Sequence, residues 1–277
     1  MKKSIILFVL LLATVSFNVF AHDDVAIHPK IMEKSMSQSN LDSYLKNNLI
    51  FTKGTDTSLT MLSEDKEDTI VGWLKKGSTA EDHPMCRASN HFHDPLKSWD
   101  VSGRSDNSFW IGLINQYCNL QSWSSPYYSD ITWATGFTSS TAAPIPYNPA
   151  SDKSPNMWRN ARTLYYNALI ATSTADRETN FAQTFLALGQ VMHLLADMSV
   201  PAHVRNDFES HLTYSGVLDK DGNLLFDPTQ WFSNPFEHYI KMHSELVFTA
   251  NSTAPTFTNP RLTDFWDTNQ YNGENPS

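Results

Sequence analysis

The side chains best suited to chemistry in this chain are two histidines and an aspartate in the stretch HLLADMSVPAH, namely His193, Asp197 and His203. Four residues are just over one helical turn, so a helix would place His193 and Asp197 on the same face. Pro201 cannot continue that helix, and the turn it makes would bring His203 back toward the same face. Imidazole and carboxylate groups in this arrangement predict a zinc-type site, in which the two oxygens of Asp197 could bridge two ions.

Plain packing is the alternative, because an isolated histidine on a half-buried helix is more often a core residue than a ligand. An acid one turn away and a second histidine beyond a helix-ending proline favour metal binding instead. Other residues of ligand type are grouped beside carboxylates elsewhere in the chain. These are His22, His28, Glu81, Asp82, His83, His91, His93, His211 and Glu237.

The N-terminus has the pattern of a secretory signal peptide. Two lysines precede an apolar run from Ile5 to Val15, and a Val-Phe-Ala sequence ending at Ala21 provides the cleavage signal. The apolar run is short for a membrane span. We therefore expect residues 1–21 to be removed, leaving a secreted or periplasmic protein that begins at His22.

The remaining residues, 22–277, are enough for one domain, which we expect to be a monomer. The end at 275–277 is abrupt, as is typical of a truncated sequence. The formal net charge is −9, and loss of the two signal-peptide lysines makes it more negative, which argues against nucleic acid as a partner. Cys86 and Cys118 could form one disulfide or remain two buried thiols.

Apolar residues at helical spacing predict an all-α fold with long connecting loops. The longest predicted helix runs from Asp176 to Met198, where the apolar stripe is core packing and Gly189 leaves room beside His193. Residues 98–149 predict long connections with short helices. The aromatic side chains between Phe109 and Trp133 fit packing better than a choline-accepting or membrane-facing rim. Other segments predict helices at 40–51, 67–76, 157–171 and 236–248, and a small hairpin around 219–223; no alternating strand series is present.

Two segments of the chain match motifs of a known family. HLLADMSVPAH is similar to the pattern HxxxDxxxPxH, and SNHFHDP is similar to HFxDP with an acidic pair shortly before it. Together they resemble the bacterial zinc-dependent phospholipases C, which share a superfamily with zinc nucleases specific for single strands. The first motif is common to the superfamily, and HFxDP favours the phospholipase branch. The resemblance extends from about His28 to Phe248.

The resemblance implies three zinc ions in one cleft of a single helical domain. The first zinc would be held by Asp82, His91, His193 and Asp197. Glu81 is the alternative to Asp82, because the acidic pair leaves the register open. His83 and His93 would then be surface residues or lie behind the ligands.

The second zinc site implied by the resemblance would use His203, a further histidine and an acid that Glu237 fits. The family pattern places the histidine four residues before the acid, where this chain has Ser233. His211 is the nearest substitute, and His238 and Glu245 are competitors.

The third implied zinc site depends on the new N-terminus. Its ligands would be the α-amino group and carbonyl of His22, the side chain of His28 and the bridging Asp197. The family usually has Trp at the first position. The departure does not forbid the site, because only backbone groups of that residue are needed.

The resemblance implies a secreted zinc-dependent phosphodiesterase. The expected reaction is that of a phospholipase C acting on a phosphatidylcholine-like lipid, with peripheral membrane contact, by attack of a zinc-activated hydroxide that releases diacylglycerol. Asp82 would serve as general base as well as ligand. A single-strand-specific nuclease or other phosphodiesterase is one alternative, and a zinc-binding protein without catalysis is another.

Overall fold

The computed structural model describes residues 27–84, 86–105, 109–120, 123, 127–139, 142–143, 145, 157–207, 211, 217–218, 224–225 and 235–245. The predicted signal peptide, its cleavage site and His22 lie outside these residues. The described part is mostly helical, in agreement with the predicted all-α class. Its helices are α1 (Ile27–Gln38), α2 (Leu41–Asn48), α3 (Ile70–Ala80), α4 (Phe109–Leu120), α5 (Asp130–Thr135), α6 (Met157–Ile170), α7 (Thr174–Asp197), α8 (Pro201–Val204) and α9 (Pro235–Met242).

The long helix α7 is the centre of the fold. Ser173 caps its first turn by accepting a hydrogen bond from the backbone N–H of Asp176. The helix ends at Asp197, and Pro201 opens the short helix α8 after a tight turn. Helix α7 packs against both α3 and α6. The main core includes Met32, Ile70, Trp73, Leu74, Phe181 and Phe185.

Glycines allow α3 and α7 to cross at very short range. A Cβ atom on Gly189 would collide with the carbonyl oxygen of Leu74, and one on Gly77 would collide with the carbonyl oxygen of Leu186. The sequence predicts that Gly189 leaves room beside His193. In the structure the backbone of α3 fills that room, so the two glycines bring the helices together.

A two-stranded hairpin precedes α3 and was not predicted from the sequence. Strand β1 (Ser58–Met61) pairs antiparallel with β2 (Lys66–Thr69), so the helix predicted over 67–76 begins only at Ile70. The alternation is visible in β1 alone, where Leu59 and Met61 are buried, whereas β2 is polar throughout. Thr69 ends the strand and caps α3 by accepting a hydrogen bond from the N–H of Gly72.

The second hairpin was predicted correctly. Strands β3 (Val217–Leu218) and β4 (Leu224–Leu225) pair antiparallel around residues 219–223. The helices predicted at 40–51, 157–171 and 176–198 correspond to α2, α6 and α7, with small shifts at their ends. The helix predicted at 236–248 corresponds to α9, which ends earlier, at Met242; residues 246–248 lie outside the described part of the chain.

The region from 98 to 149 contains α4 and the short α5. Two tryptophans of the aromatic segment from Phe109 to Trp133, Trp123 and Trp133, are buried in a second core cluster, which confirms packing rather than a rim for these two side chains. The same cluster contains the disulfide between Cys86 and Cys118, which decides between the two alternatives left open by the sequence. Among the described residues, no helix has both the length and the apolar character needed to cross a bilayer.

Candidate metal centre

The fold brings the predicted ligands that the structure describes into one buried region. They come from α1, the end of α3, the short 3-10 turn Ala88–Asn90, α7, α8 and α9. All of them are almost completely shielded from solvent. Burial of several imidazoles and carboxylates together is costly unless they are paired or bind metal ions. These side chains are His28, Asp82, His91, His193, Asp197, His203, His211 and Glu237.

The first group of ligand atoms lies around Nε2 of His193. This atom is 3.6 Å from Oδ1 of Asp82 and 3.3 Å from Oδ2 of Asp197. Nδ1 of His91 lies 3.5 Å from the same oxygen of Asp82. Four ligand atoms that bind one zinc ion tetrahedrally, each at about 2.1 Å, lie about 3.4 Å from one another. The spacing of these atoms therefore fits ligands of one ion better than a set of direct hydrogen bonds.

Asp197 faces two groups of ligand atoms with its two oxygens. While Oδ2 points to His193 and lies 2.9 Å from Nδ1 of His91, Oδ1 lies 3.4 Å from Nε2 of His28. The ring of His28 stacks on that of His193, with ring centroids 3.7 Å apart. The two oxygens of Asp197 therefore face different imidazoles, as the predicted bridging role requires, and His28 forms a group with His193 and Asp197.

The next group contains His203, His211 and Glu237. Oε1 of Glu237 lies 3.6 Å from Nε2 of His203 and 3.4 Å from Nδ1 of His211. The substitute histidine chosen from the sequence is thus beside the predicted acid, although it lies outside the family spacing. Of the competitors, Glu245 is exposed, and the side chain of His238 is outside the described part of the chain.

Backbone carbonyls orient two of the imidazoles. Nδ1 of His193 donates to the carbonyl oxygen of Ser78 at 2.6 Å, and Nδ1 of His203 donates to that of His91 at 2.7 Å. These bonds leave the Nε2 lone pairs for a metal ion. Neither Nε2 atom has a hydrogen-bond partner within the described residues. The close approach of α3 to α7 is what brings the carbonyl of Ser78 to His193.

The segment around the HFHDP motif is fixed by its backbone as well. The N–H of His93 donates to the carbonyl oxygen of His203, and the N–H of Asp130 donates to that of Phe92. Phe92 is fully buried and stacks on the ring of His203 at 4.6 Å between centroids. The motif therefore places His91 between α7 and α8.

The remaining predicted residues lie outside the three groups. His83 is exposed, and His93 is buried with its Nδ1 3.0 Å from the hydroxyl of Ser102. Glu81 is buried too, but its oxygens are hydrogen-bonded to Arg87 and Trp133. Of the acidic pair, Asp82 is the member that groups with His91 and His193.

Without cations, protons on imidazoles balance the buried carboxylates. Burial lowers the pKa of His91, but hydrogen bonds and charge from Asp197 and Glu81 outweigh it and raise this pKa to about 9. Burial raises the pKa of Asp197, but the charges of His193 and His203 outweigh it and hold this pKa well below its usual value. Divalent cations would replace those protons, since imidazole must be neutral to bind a metal.

Asp130 is a buried acid near the centre that was missed from the sequence. It follows Ser129, which caps α5, and its Oδ2 has no hydrogen-bond partner in the described part of the chain. Burial, and then the charge of Asp197, raise its pKa well above the usual value. The only sequence signal was a Ser-Asp pair typical of a helix start, which does not distinguish an acid at a metal centre from a capping residue.

Comparisons with protein-family models, with curated proteins and with solved structures find no match for this chain. Its class therefore rests on its own geometry. The described residues form buried groups of nitrogen and oxygen donors, each group compact enough to hold a metal ion.

Proposed function

We propose that this chain is a secreted zinc-dependent phosphodiesterase, and specifically a phospholipase C. One observation carries the proposal. Three compact groups of buried donors lie side by side, with ligand atoms within each group no more than 4.8 Å apart. Two of the groups share His193, and Nδ1 of His203 in the third lies 4.0 Å from Oδ2 of Asp197. Neighbouring metal ions of this kind suit phosphoryl chemistry, because both the attacking and the leaving oxygen need charge stabilisation.

Zinc is the ion that best fits the donors. Each group combines imidazole nitrogen with carboxylate oxygen, whereas magnesium and calcium prefer sites built from oxygen alone. The residues that would hold the ions are Asp82, His91, His193 and Asp197 for the first, and His203, His211 and Glu237 for the second. His28 and Asp197 would hold the third, together with the backbone of His22.

The protein contributes positioning and proton transfer to the proposed reaction. Zinc bound here would lower the pKa of a water to about 7 and neutralise charge on the phosphate. Oδ1 of Asp82 faces the imidazoles of His91 and His193. The second oxygen, Oδ2, would accept the proton of the attacking water, which makes Asp82 the general base. The carbonyls of Ser78 and His91 would keep the ligand imidazoles in the required tautomer.

A choline-type phospholipid is favoured over nucleic acid as substrate. The HFHDP segment resembles the phospholipase branch, and the net charge of −9 opposes a polyanion. A phosphocholine head group carries both charges and does not meet the same repulsion. Burial of Phe92 in the stack on His203 assigns the Phe of the motif to positioning rather than to substrate contact.

The test uses the full chain, exported and processed by its host. Zinc content is measured together with phosphocholine release from micelles of short-chain phosphatidylcholine and with cleavage of single-stranded DNA. The matched pair of variants is His91→Gln, which should abolish hydrolysis, and His83→Gln in the same segment, which should leave it intact.

The proposal expects zinc, lipid hydrolysis and little DNA cleavage. DNA cleavage without lipid hydrolysis would replace the phospholipase by a nuclease on the same centre. A zinc-loaded protein inert in both assays would point to a zinc-binding protein without catalysis. Absence of bound metal would overturn the proposal altogether.

A further inference from the structure

We propose that Glu81 is a positioning residue for His91, held in place by Arg87 and Trp133, and not a metal ligand. The inference rests on the proposed metal centre but adds residues that the centre itself does not include. It starts from a difference among three of the imidazoles in the HLLADMSVPAH and SNHFHDP segments, those of His91, His193 and His203. His193 and His203 turn one ring nitrogen to a backbone carbonyl, whereas His91 turns its outer nitrogen to a carboxylate.

The two nitrogens of the His91 ring face different carboxylates, and only one of them faces the proposed metal ligands. Its Nδ1 faces Asp82 and Asp197. Its Nε2 faces away from them and lies 3.6 Å from Oε1 of Glu81, an ion-pair contact slightly longer than a hydrogen bond. A carboxylate behind a ligand imidazole fixes the orientation of the ring and raises its basicity, which strengthens metal binding. The position of Glu81 therefore determines how firmly His91 can hold an ion.

Glu81 cannot easily turn into the centre, because its oxygens are fixed from the other side. Nη2 of Arg87 lies 2.6 Å from Oε2, and the indole N–H of Trp133 donates to Oε1 at 2.6 Å. Nε of Arg87 also donates to the backbone carbonyl of Glu81. Short hydrogen bonds to an ionised group, such as the two that the Glu81 carboxylate accepts at 2.6 Å, are stronger than those between neutral groups. All three side chains are buried, so water does not weaken these interactions.

The two residues that hold Glu81, Arg87 and Trp133, are connected to the second core cluster. The guanidinium of Arg87 lies over the ring of Trp133, 5.1 Å from its centroid. The residue before Arg87 is Cys86, which is bonded to Cys118 in α4. The two members of the acidic pair thus have separate tasks: Asp82 belongs to the donor group, and Glu81 connects His91 to the core.

The principal test is Glu81→Gln in the full processed chain. Glutamine keeps the size of the side chain and one oxygen acceptor, but it lacks the charge that supports His91. We expect zinc affinity at the centre containing His91 to fall roughly 10- to 100-fold, with the His203–His211–Glu237 centre unchanged, as measured by competition with graded chelators. The control is Glu33→Gln, which removes an exposed ion pair with Lys75 and should change neither centre.

A spectroscopic measurement distinguishes positioning from a general loss of structure. In zinc-loaded protein labelled with ¹⁵N-histidine, the Nε2–H resonance of His91 should shift upfield in Glu81→Gln, while the resonances of His193 and His203 stay in place. Trp133→Phe keeps an aromatic ring beside Arg87 and removes the donor to Oε1. It should produce the same shift with a smaller loss of affinity, even if Glu81→Gln folds poorly.

The outcomes separate this inference from the proposed function. An unchanged His91 resonance with unchanged zinc affinity in both variants would overturn the role of Glu81. The role of Glu81 would also be overturned if zinc affinity fell equally at all centres and in proportion to the melting temperature. Such a result would mean that Glu81 only stabilises the fold. A wild-type protein that binds no zinc would instead overturn the proposed function.

Discussion

Asp197 connects the donor groups, because its two oxygens face different sets of imidazoles. Oδ2 lies near His91 and His193, and Oδ1 lies near His28. A neutral amide at this position would keep the shape of the side chain but offer one acceptor oxygen in place of two and no charge. The bridging residue should therefore be less replaceable than any ligand that belongs to one group alone.

Asp197→Asn should release more than one zinc ion from the protein. We expect hydrolysis of short-chain phosphatidylcholine to fall by about three orders of magnitude, since charge stabilisation and water activation are both lost. Metal analysis and initial rates provide the measurement. His211→Asn is the matched comparison, because it should remove only the ion held with His203 and Glu237. Equal metal loss in the two variants would contradict a bridging role.

Protons should leave the protein when zinc binds at neutral pH. The pKa of His91 is raised to about 9 because interactions with Asp197 and Glu81 outweigh the effect of burial, so the metal-free imidazole is protonated at pH 7. A ligand imidazole must be neutral. Calorimetry in buffers of different ionisation enthalpy should show that zinc binding releases protons at pH 7 and fewer protons near pH 10. The apparent affinity for zinc should rise from pH 7 to pH 10. Equal release at both pH values would refute the assignment of His91.

The sequence could predict the ligands of α7, because helical spacing alone places Asp197 one turn from His193. It could only suggest His211, which lies outside the family spacing and reaches Glu237 through the tertiary fold. It left open whether Glu81 or Asp82 is the ligand. Both side chains are carboxylates, and a sequence does not show the direction in which each one points. The contact that separates them, from Trp133 to Glu81, is 52 residues apart in the chain and follows no local pattern.

At the scale of elements, the crossing of α3 and α7 positions the centre. Gly77 and Gly189 let the two backbones approach, and the carbonyl of Ser78 then receives the hydrogen bond of His193. The glycines were visible in the sequence, but their partner was not, because helix-crossing geometry depends on both surfaces. The β1–β2 hairpin was hidden for a similar reason, since its second strand has no apolar face of its own.

Gly189→Ala should destabilise the protein and weaken its first metal site together. The added methyl group would meet the carbonyl oxygen of Leu74, and the helices would have to separate. Overpacking of this kind costs about 1–3 kcal/mol. Thermal unfolding and zinc competition are the measurements. The control is Gly112→Ala in α4, where a Cβ has no neighbouring atom within 4 Å. A Gly189→Ala protein as stable as wild type, with unchanged zinc affinity, would contradict the positioning role of the crossing.

The fold gathers donors from residue 28 to residue 237 into one buried region. Ions held by the three donor groups would connect α1, α3, α7, α8 and α9. Binding to the folded state alone stabilises it according to ligand concentration and affinity. Metal binding should therefore contribute to stability as well as to the proposed hydrolysis.

Removal of metal by a chelator should lower the melting temperature, and more at pH 9 than at pH 6.5. The raised pKa of His91 gives the metal-free fold a stabilising contribution that is fully present below about 6.5 and is lost as pH rises through about 9. The lowered pKa of Asp197 contributes stability above its usual value, so it stays constant over this range. In zinc-loaded protein His91 is already neutral, so its melting temperature should vary less with pH. Calorimetric scans of the chelated and the zinc-loaded protein test this, with zinc added back to the chelated protein as the control. If the chelated protein melts at the same temperature at both pH values, protons do not take the place of the cations.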